Sequence, residues 1–308
     1  MNQTQTDATG WEYSPAPETT QVRIEPKNKL FINGQFVSPK SRSWFSTTNP
    51  ANNEKLADIA CAGKADVESA VTSAKKALPK WSKLPGSERA KYLYRIARRI
   101  QERSRELAIL ETMDGGKPIK ESRDVDLPLV AQHFFYYAGW ADKLQYAFPG
   151  AHIEPVGVCA QIIPWNFPLL MAAWKLASAL DAGCSCIVKK AEHPPLAALK
   201  LAQLAQESGG PDGVLSVVVG VKETTGQAMW RHHDINIVCF TGSTKVGGYF
   251  LRYAGESNPK SVVLEIGDKR QFIILDDADL TDDLNEHETT AAFWTSGQTC
   301  SANIRQIV

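Results

Sequence analysis

Apolar positions recur at helical spacing through the first half of the chain, then condense into short solid runs after Gly157. Val67, Ala70, Val71, Ala74 and Leu78 make one buried face of a first helix. Ser87 and Glu88 open a second, whose face is Leu93, Ile96, Ile100, Leu107 and Leu110. Gly115-Gly116 with Pro118 ends it. A third helical stretch, rich in aromatics, covers Leu127 to Tyr146. Ahead of all three, Lys29 to Val37 reads as a β-hairpin. Asn33-Gly34 supplies the positive φ angles that its tight turn needs.

The later runs have strand length: Gly157 to Ile163, Cys184 to Lys189, Val214 to Val219 and Ile235 to Phe240. Helical segments separate them, Leu169 to Leu180 and Pro194 to Glu207 among them. Strands apolar on both faces and alternating with helices imply a parallel sheet covered on both sides. That is the α/β architecture of a dinucleotide-binding domain. At Ser261 the rhythm changes. Ser261 to Glu265 and Gln271 to Leu275 read as two strands, and a helix around Glu286 to Ser296 leads to Cys300. The expected organisation is a flexible polar tail over 1–28 and a dinucleotide domain with its hairpin and helices over 29–260. The start of a second α/β domain follows over 261–308.

Charge adds exclusions. Lys and Arg number 34 and so do Asp and Glu, which leaves no field to attract nucleic acid or an anionic membrane. No apolar run approaches the roughly 18 residues of a membrane span; Phe167 to Trp174 is cut by Pro168 and closed by Lys175. Residues 1–28 are rich in Thr, Gln, Glu and Pro, without the apolar centre of a secretory signal or the arginines of a transit peptide. The six cysteines are scattered, so reduced thiols and the cytoplasm are expected. Cys184-Ser185-Cys186 lies in an apolar strand pattern with no second pair to complete a metal site.

Chemistry concentrates in four segments. Phe293-Trp294-Thr295-Ser296-Gly297-Gln298-Thr299-Cys300-Ser301 sets a cysteine on a Gly-containing loop. A thiolate is a strong nucleophile, although a cysteine judged alone is more often an inert core residue. Glu265 ends an apolar run, where a carboxylate can activate water. Asn166, within Pro164-Trp165-Asn166-Phe167-Pro168, can donate its amide to a developing oxyanion. Alone, it would pass for a turn residue. The Gly-x-Gly-x-x-Gly fingerprint is absent. Instead, Phe240-Thr241-Gly242-Ser243-Thr244-Lys245-Val246-Gly247 joins strand to helix, with Gly242 allowing close approach and Ser243 facing a phosphate.

From Leu30 to Val308 these motifs, in this order, resemble the N-terminal part of the aldehyde dehydrogenase superfamily, ending just after the catalytic cysteine. The resemblance implies a Rossmann-type parallel-sheet NAD-binding domain followed by the beginning of a catalytic α/β domain. It implies NAD(P)-dependent oxidation of a small aldehyde to a carboxylic acid. Cys300 would form a thiohemiacetal and then a thioester, Asn166 and the Cys300 amide would hold the oxyanion, and Glu265 would be the general base. Lys189 and Glu192 would bind the adenosine ribose, and Gly242 and Ser243 the pyrophosphate. Trp165, Gly226 and Gly267 fall at further cofactor-adjacent positions. A carboxylate beside the ribose favours NAD, while Lys190, where the family has proline, leaves NADP open. Asp268 departs from the glycine that usually follows in the base loop. The complete enzyme would be a homo-oligomer. Trp174, Phe293 and Trp294 are candidates for the aldehyde tunnel, and the aldehyde itself stays open.

A second reading is a truncated, catalytically inactive relative that binds dinucleotide or a partner chain. It draws on the stop at Val308, Asp268 and Lys190. An acylating relative using coenzyme A fits less well, because Glu265 is present.

Overall fold

The computed structural model describes residues 5–6, 12–13, 20–190, 192–267, 270–275, 277–279 and 282–307. Most of the expected 1–28 tail and Asp268 of the base loop lie outside the described residues.

A short strand β1 (Lys27–Asn28) is followed by the hairpin of β2 (Leu30–Ile32) and β3 (Gln35–Val37). Leu30 pairs with Val37 across it, and Asn33 and Gly34 take φ of 52° and 73°. Strands β4 (Trp44–Thr48) and β5 (Lys55–Ala60) complete a small three-stranded sheet with β1. Helix α1 (Lys64–Ser82) then buries Val67, Ala70, Val71 and Ala74, as the periodicity requires.

The second expected helix is two helices. α2 (Gly86–Glu102) and α3 (Ser104–Gly115) meet at Arg103, whose backbone leaves helical geometry at φ −111°, ψ 19°. The Arg103 guanidinium reaches Glu207 at 3.0 Å, a tertiary contact that periodicity does not register. Gly116, at φ 72°, caps α3 by donating its N–H to the Thr112 carbonyl. The aromatic stretch is helical as α4 (Leu127–Trp140), entered through a wide turn over Ser122–Asp126.

The main sheet alternates with helices as expected: β6 (Val158–Ile163), α5 (Pro168–Asp181), β7 (Ser185–Lys190), α6 (Leu196–Glu207), β8 (Leu215–Val219) and β9 (Ile237–Gly242). Helix α7 (Thr244–Gly255) and strand β10 (Ser261–Ile266) follow. The seven-stranded order is β10-β9-β6-β7-β8-β2-β3, with β2 antiparallel to β8 and the five strands from β10 to β8 parallel. Alternate residues of β7 serve opposite cores. Cys186 and Val188 pack with α2, α4, α5 and α6, while Ile187 packs with Val67 and Val71 of α1.

The sheet reaches past the boundary expected at residue 260. β10 pairs along its whole length with β9, Thr241 opposite Glu265. The strand carrying Glu265 is therefore an edge of the first sheet. Beyond it, β11 (Arg270–Ile273) pairs in parallel with β12 (Asn303–Ile307). Between them runs α8 (Asp282–Gly297), whose backbone leaves helical geometry at Trp294.

Candidate functional site

Sheet topology decides where the motifs meet. From β6 the chain builds outward through β7 to β8, then returns to the other side of β6 for β9 and β10. Open parallel sheets bind ligands at such a reversal, outside the carboxyl ends of the strands. Trp165 and Asn166 follow the end of β6, Glu192 that of β7, Gly226 that of β8, and Ser243 that of β9. Lys189 and Gly242 are themselves in the last two positions of β7 and β9, and Glu265 is next to last in β10. Residues spread over a hundred positions thus share one edge of one sheet.

The turn after β6 touches the cysteine loop. Asn166 Nδ2 donates to the Gln298 carbonyl at 2.7 Å. An amide nitrogen carries two hydrogens, so one N–H of Asn166 remains for a substrate oxygen. Before Gln298 the chain turns sharply: Trp294 is extended, and Thr295, Ser296 and Gly297 take φ of 53°, 56° and 71°. Two non-glycine residues in the left-handed region carry strain, and Thr295 is fully buried with its Oγ1 unpartnered. The helix expected through Ser296 is broken here, because this turn lifts the following segment out of the helix axis. Cys300 lies beyond the turn and, among the described residues, is the one exposed cysteine. Burial pushes the Cys186 and Cys239 thiols up.

Glu265 is exposed at the sheet edge. The ammonium of Lys175 on α5 feels its charge, although burial still lowers the pKa of Lys175. Gly267 has open space around it. Ser243 caps α7, its Oγ accepting the Val246 N–H at 3.4 Å. The residue and the helix start are exposed, so the first turn faces solvent with the partial positive charge that suits a phosphate. Gly247 lets α7 lie against β10: a Cβ there would stand 2.8 Å from Ile266 Cγ2. Gly242 and Gly226 have local reasons of their own. A Cβ would meet the Phe240 ring at 2.6 Å in the first case and the Trp230 ring at 2.7 Å in the second.

Trp165 is 54% exposed at the mouth of this edge, whereas Lys189 is buried. Of the tunnel candidates, Phe293 is 72% exposed and Trp174, at 47%, meets the His133 ring edge-on at 5.6 Å. The exposed N-terminus of α7 is what this edge offers to a phosphate of a dinucleotide.

Sequence reading missed a cluster of buried charge behind the Asn166 turn. It comprises Glu111 and Asp114 of α3, Lys117, Asp126 and Lys190, each at most 3% exposed. Lys117 Nζ pairs with Asp126 and stands 3.8 Å from Glu111 Oε1 and 4.0 Å from the centre of the Phe167 ring. Burial drives Glu111 up to about 7 and Asp114 to about 6, and it drives Lys190 down to about 7. The signal was available. Glu111 and Asp114 each fall four residues after an apolar position of α3, Leu107 and Leu110, and so share its buried face.

A parallel sheet with a reversal point, and a cysteine loop held against it, define a class of dinucleotide-fold proteins. Within that class, the family model described as "Aldehyde dehydrogenase family" matches residues 36–308. A mitochondrial aldehyde dehydrogenase of Rattus norvegicus is 44% identical over 292 residues, covering 91% of this chain and 56% of the relative. A mitochondrial benzaldehyde dehydrogenase of Antirrhinum majus is 42% identical, over 91% of this chain and 54% of the relative. Among solved structures, an NAD+ complex of a Bacillus cereus aldehyde dehydrogenase superposes with TM-score 0.85 at 39% identity, covering 93% of this chain and 62% of that one. The chain belongs to the aldehyde dehydrogenase family. It spans little more than half the length of these two curated relatives. Among the described residues, no helix is long and apolar enough to cross a membrane.

Proposed function

We propose that the protein oxidises a small aldehyde to the carboxylic acid, with NAD as electron acceptor. The observation that carries this reading is the contact between Asn166 and the Gln298 carbonyl, which brings an amide donor to the loop of an exposed cysteine. In this reading the Cys300 sulfur adds to the aldehyde carbonyl, and the oxygen takes up negative charge. The free N–H of Asn166 and the backbone N–H of Cys300 hold that charge. NAD, when bound, would supply the acceptor for the hydride that the adduct loses as it becomes a thioester. Glu265 then takes a proton from water, which attacks the thioester, releases the acid and restores the thiol.

The residues proposed to hold NAD are Lys189 and Glu192 at the ribose, and Gly242 and Ser243 at the pyrophosphate. Trp165, Gly226 and Gly267 border it. The Bacillus cereus relative, an NAD+ complex, supports NAD as the cofactor. We further propose that the catalytic unit begins after Ile266, where pairing with the first sheet ends. A homo-oligomer and the cytoplasm remain part of the proposal. The named mitochondrial relatives are consistent with any reducing compartment that keeps six thiols free.

The test is aldehyde-dependent NADH formation by the protein and by Cys300→Ser. Turnover should vanish in the variant while NAD binding, measured by calorimetry, persists. Equal turnover in the two proteins refutes the nucleophile.

A further inference from the structure

Lys190 is fully buried at the end of β7, yet no part of the reaction proposed above uses it. Its register explains its reach. Lys190 stands opposite Ile163, the last residue of β6, so the next carbonyl along that strand, Pro164, lies beside it. Lys190 Nζ donates to that Pro164 carbonyl. The neighbouring Lys189 points to the other face of the sheet, as alternation demands.

The charges around the amine explain why it can be buried there. The charges of Asp114 and Glu111 on α3 and of Glu192 in the following loop favour its ammonium, and that of Lys189, on the other face of the strand, opposes it. Lys117 and Asp126 close the far side of the same cluster. The first three offset the desolvation of a lysine that would otherwise seek water. The turn after β6 is thus gripped at both ends from behind: Lys190 holds the Pro164 carbonyl, and Lys117 lies under the Phe167 ring at 4.0 Å. Asn166 sits between these two anchors and reaches forward to Gln298.

We propose that Lys190 is a positioning residue, whose grip on the Pro164 carbonyl fixes the turn from which Asn166 meets the cysteine loop. The kinetic part of this inference rests on the oxyanion role proposed for Asn166; the tether itself does not. A side chain with no amine at 190 would leave the Pro164 carbonyl without this donor and free the turn to shift. Small displacements of an oxyanion donor cost rate, because stabilisation depends on aim.

The experiment compares the protein with Lys190→Met and with the charge-balanced pair Lys190→Met/Glu111→Gln, which removes one buried cation together with one buried acid. Glu111→Gln alone is the control. Hydrogen–deuterium exchange is read in peptides covering residues 165–167 and 298–301, alongside steady-state kinetics with NAD and a short aliphatic aldehyde. Exchange in both peptides should quicken about tenfold in the two Lys190 variants and stay at the parent rate in the control. The kcat should fall about tenfold with KM for NAD unchanged, short of the ~10²–10³ lost with an oxyanion donor itself. Parent-like exchange in the charge-balanced variant, with its thermal transition intact, overturns the tether. Faster exchange in a protein whose parent form oxidises no aldehyde overturns the oxyanion reading and leaves the tether standing.

Discussion

Asn166 and Gln298 are 132 residues apart in sequence and joined by one hydrogen bond of 2.7 Å. The bond fastens the turn after the first parallel strand to the strained loop that ends in Cys300. It makes two motifs on different elements into one site. It also leaves one N–H of the amide directed by the same anchor, which is what a fixed oxyanion donor requires.

Asn166→Ala removes that donor and the anchor together. The barrier should rise by about 2.7–4 kcal/mol, a loss of roughly 10²–10³ in kcat. NAD affinity should change little. Parallel kinetics and calorimetry on the variant check both statements.

Thiol labelling offers a test that needs no substrate. Cys159, Cys184 and Cys186 are buried, whereas Cys300 is exposed. Brief treatment of the native protein with iodoacetamide, followed by peptide mass spectrometry, should find Cys300 alkylated ahead of those three. Urea should abolish the difference, because burial is its cause.

Gly247 sets how closely α7 lies on β10. Gly247→Ala would drive a methyl against Ile266 Cγ2, which is on a branched and therefore unyielding side chain. Overpacking of this kind costs about 1–3 kcal/mol. Displacement of the α7 N-terminus should also weaken NAD binding. Denaturant melts and calorimetry should show both effects together.

Glu111 makes stability depend on pH in a defined direction. Burial raises its carboxyl to about 7, above the ordinary 4.5, against the opposing pull of Lys117 and Lys190 and with the help of Asp126 and Asp114. The folded state therefore holds a proton that the unfolded chain has released. Its contribution is complete below pH 4.5 and is lost as pH rises to about 7. The shift is worth on the order of 3 kcal/mol. Asp114, raised to about 6, acts in the same sense. Glu111→Gln should flatten the fall in melting temperature over that window and melt higher than the parent above pH 7. A parallel pair of melting curves from pH 4.5 to 8 decides it.

The elements of this protein were legible because each rests on local rules. The Asn33-Gly34 turn needs positive φ, the helix stripes need a period of 3.6, and β6 to β9 need apolar residues on both faces. The candidate chemistry of Cys300, Glu265 and Asn166 was legible for the same reason: few residue types can perform it, and they stood in recognisable strings. Tertiary structure alone decided the rest. The break at Arg103 comes where its guanidinium pairs with Glu207, a partner more than a hundred residues away. The place of Glu265 on the first sheet follows from main-chain pairing with β9. The grip of Lys190 on Pro164 follows from a strand register that no periodicity encodes. A sequence pattern states which faces must be buried, because hydrophobic burial is local in its demand. It does not state which partner meets each face, because pairing is settled by the competition of distant segments for the same contacts.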